Sequence, residues 1–166
     1  FYVGRYETTY DEQDGKIVVG SKANSKVLSL KNWYELYLYQ DSSRYESNPY
    51  NSVNSVTSSM IWQSQYDAML NYILKGNDKG KVTTKVGTLK GQQSNSKQDE
   101  TDKINNIYDL GSNVYEFTQE ANGTNYRIYR GGSYDTSRKI SPAEKTSDSL
   151  EDKGEGIGSR IALYAK

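Results

Sequence analysis

The segment 105–134 constrains the fold of this chain more than any other part of the sequence. It contains a small-residue turn at 111–112, where the backbone can adopt left-handed angles at little cost. The run 126–130 then alternates between two sets of side chains, which is typical of a strand with two different faces. The glycine pair at 131–132 breaks that strand. The segment therefore predicts short strands joined by sharp turns.

The 166 residues are predicted to form one domain, 1–166, which is long enough to bury a core. The hydrophobic content of 34% and the mean hydropathy of −0.91 are low for such a core. The 16 tyrosines make up part of the shortfall, because each ring buries a large area while its hydroxyl needs a hydrogen-bond partner. We expect these tyrosines to divide between the core and half-buried binding surfaces.

Several classes of function are excluded by what the sequence lacks. The chain has no cysteine and no histidine, which excludes thiol nucleophiles, disulfides, imidazole bases and His-ligated zinc. Its 21 basic and 21 acidic residues balance, so nucleic acid is not expected as a partner. No apolar run approaches the roughly 18 residues that a membrane span requires, so we expect no membrane insertion of this domain.

Local patterns predict a hairpin and a helix near the N-terminus. The dipeptide at 14–15 is a strong turn signal between predicted strands at 2–9 and 16–19. Apolar positions in 29–39 recur at spacings of three and four, which predicts an amphipathic helix with Ser29 as its N-cap.

A second helix is predicted over 64–74, with Ser64 as its cap and Asp67 as a capping-box partner. Its apolar residues fall on one face, namely Tyr66, Met69, Leu70 and Ile73. The rest is assigned by composition: an ordered polar loop at 40–59, weak strand character at 79–90, a polar insertion at 91–103, a polar loop at 135–157 and a final strand at 159–164. These elements together indicate an α+β domain.

Three motifs resemble the C-terminal half of the formylglycine-generating-enzyme (sulfatase-modifying-factor) family. The segment 108–117 resembles the family's Tyr-Asp-Leu to Glu-Trp element, 127–134 its Arg-x-x-Arg-Gly-Gly-Ser-Trp element, and 158–160 its Gly-Phe-Arg element. The chain departs from these patterns at five positions: Tyr115, Phe117 and Tyr134 replace tryptophan, Ser112 replaces glycine, and Ser159 replaces phenylalanine. The resemblance implies a C-type-lectin-like fold with two helices, short antiparallel strands and long ordered loops. It also implies that strands at 2–7 and 159–164 pair.

The family's oxidation chemistry is not expected in this chain. The resemblance would place the catalytic cysteine pair near Thr136 and Ser141, and neither residue can form a thiolate. Related iron-dependent enzymes use histidines, which are absent. An enzyme of this type that uses different residues is kept as an alternative, and so is a purely structural cap domain.

The resemblance also implies a structural calcium site, with no other cofactor required. The matching ligands are the side chains of Asp109 and Glu116 and the backbone carbonyls of Ser112 and Val114. Oxygen ligands of this kind suit Ca²⁺. The alternative is that Asp109 caps the turn and that Glu116 pairs with a base such as Arg160.

A ligand-facing surface is expected around 135–157, as in lectin-like phage receptor-binding proteins and the variable proteins of diversity-generating retroelements. The strands beneath are expected to hold it rigid, with Ser133 and Tyr134 pointing into the fold. The candidate ligand-binding residues are short or charged: Asp135, Thr136, Ser137, Arg138, Glu144, Lys145 and Ser147. The alternative is a solvated loop without a ligand.

The sequence as a whole predicts a non-catalytic ligand-binding domain of the receptor or adhesion type. The resemblance places such a domain outside the cell, on a bacterial surface protein or a virion. Its expected partner is a protein or a glycan on another cell or virion surface.

Overall fold

The computed structural model describes residues 1–76, 103–134 and 141–166. The weak strand at 79–90 and nearly all of the insertion at 91–103 lie outside these ranges. The elements, in chain order, are β1 (Tyr2–Val3), β2 (Thr9–Gln13), β3 (Lys16–Gly20), α1 (Trp33–Gln40), β4 (Val56–Met60), α2 (Gln63–Leu74), β5 (Lys103–Ile104), β6 (Ile107–Tyr108), β7 (Tyr115–Ala121), β8 (Tyr126–Arg130), β9 (Lys145–Ser149), β10 (Ile157–Ser159) and β11 (Ile161–Ala165).

The predicted hairpin is confirmed as the pair β2 and β3. Asp14 and Gly15 form its turn with φ angles of 51° and 73°, the left-handed geometry that matches the twist of paired strands. The single strand expected at 2–9 is wrong, because the chain leaves β1 after Val3 and enters β2 only at Thr9. Between them, the Thr8 N–H donates to the carbonyl of Ser159 rather than continuing the first ladder.

The two ends of the described chain pair, as the sequence predicts. Strand β1 runs antiparallel to β11, with Tyr2 opposite Leu163 and Val3 opposite Ala162. Strand β11 also pairs along its other edge with β4, in the order β1-β11-β4. The C-terminal strand is therefore the middle of this sheet.

A second sheet has the order β10-β7-β8-β9. Its strands are antiparallel except for β10, which runs parallel to β7. The polar loop expected at 135–157 is wrong in part, because β9 lies within it and pairs with β8 along five residues. The sequence of β9 contains no apolar residue, so hydrophobic alternation could not reveal it.

Helix α1 begins later than predicted. Ser29 is not its cap, since Leu30 adopts a left-handed φ of 57° that interrupts any helix begun there. Asn32 caps the helix instead: its side-chain oxygen accepts from the Glu35 N–H at 2.9 Å, and the Glu35 carboxylate accepts from the Asn32 N–H at 3.1 Å.

Helix α2 is found within one residue of its predicted bounds, but its cap differs. The side-chain oxygen of Gln65 accepts from the Trp62 N–H at 2.9 Å, whereas Ser64 and Asp67 do not form the expected capping box. Asp67 instead accepts from Arg130 at 2.8 Å, which ties the helix to β8. None of the helices in the described ranges is long and apolar enough to cross a membrane.

Two apolar clusters form the core. The predicted face of α2 is confirmed as buried, and it packs with Ile61, Ile104, Leu110 and Ala162. The other cluster lies under α1 and consists of Val19, Leu28, Leu36, Met60, Phe117 and Ile161. The structure is thus a small α+β domain, with two helices and mainly antiparallel strands in its described ranges, as the sequence predicts at this coarser level.

The ordered polar loop predicted at 40–59 is found between α1 and β4. The last residues of the predicted range, from Val56 onward, belong to β4. Asn48 organises it from within, because its side-chain N–H₂ donates to the Tyr39 carbonyl at 2.9 Å. The side-chain oxygen of Asn48 accepts from the Tyr50 N–H at 2.9 Å. An amide that joins two turns of backbone in this way holds the loop against the domain.

Candidate functional site

A group of charged side chains lies at the centre of the domain, where the two sheets meet. Arg160 follows β10, precedes β11 and is fully buried. Its guanidinium donates to the Glu116 carboxylate, where the Nε to Oε1 distance is 2.8 Å. It also donates to the carbonyls of Tyr108 at 2.8 Å and Gly4 at 2.9 Å. A buried ion pair with additional hydrogen bonds of this kind fixes the surrounding backbone.

Glu7 completes this group, which we call the buried charge cluster: Glu7, Asn113, Glu116 and Arg160. The Glu7 carboxylate accepts from the Asn113 side chain at 2.6 Å and from the Val114 N–H at 3.0 Å. Burial, and then the nearby carboxylates of Asp109 and Glu116, raise the pKa of Glu7 well above its usual value. The environment therefore favours the protonated form of Glu7.

The calcium ligands implied by the family resemblance lie in and beside this cluster, and Glu116 belongs to both groups. Asp109, Ser112, Val114 and Glu116 are all buried. The pairing of Glu116 with Arg160, which the sequence left open as an alternative, is confirmed. Among the described residues, no group of three or more acidic side chains is arranged to hold a metal ion. The guanidinium of Arg160 already provides the positive charge opposite Glu116. Calcium at this position stays a prediction.

The turn that carries these residues is built differently from its predicted form. The left-handed residues are Asp109 (φ 60°) and Asn113 (φ 63°), which flank the small pair at 111–112. Asparagine and aspartate tolerate this conformation better than other non-glycine residues. Gly131 faces the same turn, and a Cβ at that position would lie 2.5 Å from the carbonyl oxygen of Leu110. Only glycine fits there, which explains part of the Gly-Gly motif.

The second sheet has Glu116 and Arg130 on one face. Its other face carries an open groove of about 430 Å³, which we call the tyrosine groove. The rings of Tyr115 and Tyr129 form one side, with centroids 4.6 Å apart and planes tilted by 55°. Tyr134 also lines the groove and donates its hydroxyl to Glu155 at 3.3 Å. The lining residues are Tyr115, Tyr129, Ser133, Tyr134, Asp148, Gly154, Glu155, Gly156 and Ile157.

The strands determine which side chains reach this groove. Tyr115 stands opposite Ile157 of β10, and Phe117, two residues further along β7, stands opposite Tyr129. All of them therefore share one face of the sheet. At Phe117 this face packs into the core, where the ring also meets Tyr129 edge-on at 5.8 Å. The tyrosine groove lies on the same face, where Tyr115, Tyr129 and Ile157 line an open space.

The described charged residues that line the groove are both acidic, Asp148 and Glu155. Burial, and then a hydrogen bond with Asp152, raise the pKa of Asp148 above its usual value, while Glu155 is exposed. None of the described lining residues is basic. Two bases nearby in the sequence are engaged elsewhere: Arg127 lies 4.5 Å from the ring centre of Trp33, and Lys153 pairs with Glu35.

The predicted ligand-binding residues lie apart from the groove or outside the described ranges. Asp135, Thr136, Ser137 and Arg138 belong to the latter. Glu144 is half-buried next to β9, and Lys145 lines a separate depression beside Asp67 and Arg130. Ser147 accepts a hydrogen bond from the Asn122 side chain at 2.8 Å. The described part of the chain does not bring these three residues together with the tyrosine groove.

Sequence reasoning did not name the groove tyrosines as ligand-binding residues, although Asp148 and 154–157 fall within the surface expected around 135–157. Tyr134 is expected to point into the fold, yet it is half-buried and lines an open surface together with Tyr115. The expectation for Ser133 is confirmed, since its side chain is fully buried. The available signal was the replacement of tryptophan by tyrosine, whose hydroxyl favours a position in contact with water.

Comparisons with known proteins give a single kind of information. No family model matches this chain, and no curated protein matches it. The chain is similar in structure to the crystal structure of CarF, with a TM-score of 0.54 and 14% sequence identity. The similarity covers 100% of this chain and 76% of that chain. At this identity the likeness concerns the fold alone.

Proposed function

We propose that this chain is a non-catalytic ligand-binding domain that receives its ligand in and around the tyrosine groove. The domain would belong to a bacterial surface protein or a virion and act outside the cell. Its partner would be a protein or a glycan on another cell or virion surface. A C-type-lectin-like fold of the formylglycine-generating-enzyme type is part of this proposal, supported by the pairing of β1 with β11 and by the sequence motifs.

The observation that carries the proposal is the tyrosine groove itself. Three half-buried tyrosines and two carboxylates converge on one open space, and the sheet beneath them is rigidly paired. Aromatic rings with polar tips are the residues that binding surfaces favour, because they offer contact area at low cost in conformational entropy. Binding sites are typically concave with a few convergent polar groups.

The neighbourhood of the groove supports a surface that can vary without loss of the fold. Among the described residues of this range, Asp148 and 154–157 line the groove, and β9 lies at the edge of the sheet. The backbone beneath is fixed, since the Tyr134 N–H donates to the Asn113 carbonyl at 2.9 Å and the Tyr115 N–H to the Gly156 carbonyl at 2.8 Å. Side chains on such a scaffold can change while their positions stay the same.

A labelled domain probed on glycan and peptide arrays and on bacterial cells tests this function. Glu155→Arg places a bulky positive charge at the edge of the groove, and Glu46→Arg makes the same change at an exposed position in the α1–β4 loop. We expect the array or cell signals to be lost with Glu155→Arg and kept with Glu46→Arg. Equal signals from the two variants would show that the groove does not bind the partner.

A structural calcium ion at Asp109 and Glu116 is a separate part of the proposal. An ion that binds only the folded state raises the melting temperature as its concentration rises. Asp109→Ala should remove that rise. A melting temperature that is the same in calcium and in chelator would leave Arg160 as the counter-ion of Glu116.

A further inference from the structure

The tyrosine groove differs from the other described depressions of this domain in combining ring faces with negative charge. The depression beside α2 contains Asp67 but also Arg130 and Lys145. The one between β2 and the segment that follows β3 contains Asp11 and Glu12 but also Lys26. In the tyrosine groove, the described charged residues are Asp148 and Glu155, both acidic.

Resting on the ligand-binding function proposed above, we propose that the tyrosine groove binds a quaternary ammonium group. The rings of Tyr115, Tyr129 and Tyr134 would contact the methyl groups of the cation, and Asp148 and Glu155 would supply the opposite charge. The face of an aromatic ring carries partial negative charge, and it attracts a cation placed within about 6 Å of its centre.

The arrangement of the rings suits a round cation better than a flat ligand. Tyr115 and Tyr129 are tilted by 55° at a centroid distance of 4.6 Å, so they form a corner rather than a parallel stack. Tyr134 lines the same groove, and its hydroxyl donates to Glu155. A methylated ammonium bound in the open groove beside these rings can contact the accessible parts of more than one of them.

The charge of the groove selects among ligand classes. An anionic ligand would be repelled by ionised Asp148 and Glu155, whereas a cation would be attracted. Burial already raises the pKa of Asp148, so a nearby cation stabilises its ionised form. A primary ammonium is strongly hydrated and needs several acceptors, whereas a quaternary ammonium sheds its water readily and needs ring faces.

Choline is the probe for this inference, and 3,3-dimethyl-1-butanol is its neutral counterpart of nearly the same shape. Both are titrated into the wild-type domain while the signals of the tyrosine rings are followed by NMR. We expect saturable chemical-shift changes at Tyr115, Tyr129 and Tyr134 with choline. The alcohol should bind with an affinity at least roughly tenfold lower. Raising the salt concentration should weaken the binding of choline alone.

Two variants locate the charge. Asp148→Asn and Glu155→Gln remove one negative charge each without a change in shape, and each should weaken choline several-fold. The exposed residue Glu46 provides the comparison, because Glu46→Gln lies outside the groove and should leave the affinity unchanged. Thermal unfolding of the variants confirms that a loss of binding is not a loss of folding.

The outcomes separate this inference from the proposed function. Equal affinity for choline and the alcohol, or tighter binding of n-butylammonium than of choline, overturns the ammonium specificity. Binding of neutral methyl glycosides without choline also overturns it but leaves the ligand-binding function intact. If no probe binds and Glu155→Arg does not alter the array and cell signals, both proposals are overturned.

A final arm distinguishes the source of the group. Retention of the domain on phosphatidylcholine vesicles, with release by free choline, identifies a lipid headgroup. Binding of choline without retention on vesicles identifies a soluble or polymer-borne ammonium. Either result supports the specificity of the groove.

Discussion

Neighbouring residues of β7 belong to two very different regions of this molecule. Glu116 is 1% exposed and pairs with Arg160 inside the buried charge cluster. Tyr115, one residue earlier, is half-buried and lines the tyrosine groove on the opposite face of the sheet. The same division occurs on β8, where Arg130 is buried and pairs with Asp67 while Tyr129 faces the groove.

The two regions contain similar chemical groups and use them in opposite ways. In the buried charge cluster, carboxylates and a guanidinium are bound to one another and to backbone groups, so nothing outside the domain can reach them. In the groove, carboxylates and phenol rings face an open space of about 430 Å³. Alternation along a strand is sufficient to separate scaffold from surface, because successive side chains point to opposite faces.

The largest effect is expected from breaking the buried charge cluster. Arg160→Met removes the cation and leaves Glu116 buried without it, which should cost about 3–5 kcal/mol of unfolding free energy. Arg127→Met, at the partly buried guanidinium that lies over Trp33, removes the same charge and should cost much less. Urea denaturation of both variants measures the difference. Similar losses from the two would show that the cluster is not the scaffold.

A pair of ring deletions on β7 compares the covered and the open part of one sheet face. Phe117→Ala removes a fully buried ring and should cost roughly 3–5 kcal/mol. Tyr115→Ala removes a half-buried ring and should cost less, while abolishing binding in the groove. Thermal melts and the choline titration provide the two measurements. If Tyr115→Ala is as damaging as Phe117→Ala, Tyr115 is a core residue and the groove has no binding role.

The charge of Glu7 is expected to appear in the pH dependence of stability. Because the pKa of Glu7 is raised in the folded state, folding is favoured below the pKa of the unfolded chain, and this contribution is lost as the pH rises through the folded-state value. Glu7→Gln keeps an oxygen for the Val114 N–H and cannot ionise. The variant should therefore gain stability relative to the wild type as the pH rises. Parallel stability curves from pH 4 to pH 8 for the two proteins would contradict this assignment.

The smallest effect on stability is expected in the groove. Glu155 is exposed, so Glu155→Gln should change the unfolding free energy by no more than about 0.5 kcal/mol. The same substitution should weaken the binding of choline several-fold. A large loss of stability in this variant would place Glu155 in the scaffold and remove the contrast between the two regions.

The sequence predicted those elements whose signals are local. The dipeptide 14–15 and the apolar face of α2 follow from turn chemistry and from helical spacing, and both are found. The start of α1 was misplaced because a left-handed Leu30 cannot be recognised from the sequence. Strand β9 was missed because its pairing with β8 is a tertiary interaction without an apolar pattern.

The candidate site was harder to predict than the fold. Tyrosine fits both a core and a binding surface, so its identity alone did not show that Tyr115, Tyr129 and Tyr134 meet at an open groove. Their convergence depends on strands that are distant in the sequence, which a chain read in order does not reveal. The pairing of Glu116 with Arg160 could be stated as an alternative from the sequence. A buried acid needs a base, and Arg160 is the arginine of the motif at 158–160.

The position of Arg160 also has a consequence for how the domain opens. The chain passes from β10 in one sheet to β11 in the other within a single residue, and that residue is the fully buried guanidinium. Neither strand can detach without exposing Arg160 and leaving Glu116 without its ion-pair partner. We therefore expect the two sheets to open as one cooperative unit. Amide protons of β10 and β11 should then exchange with solvent at closely similar rates, set by opening of the whole domain rather than by fraying of its C-terminal end.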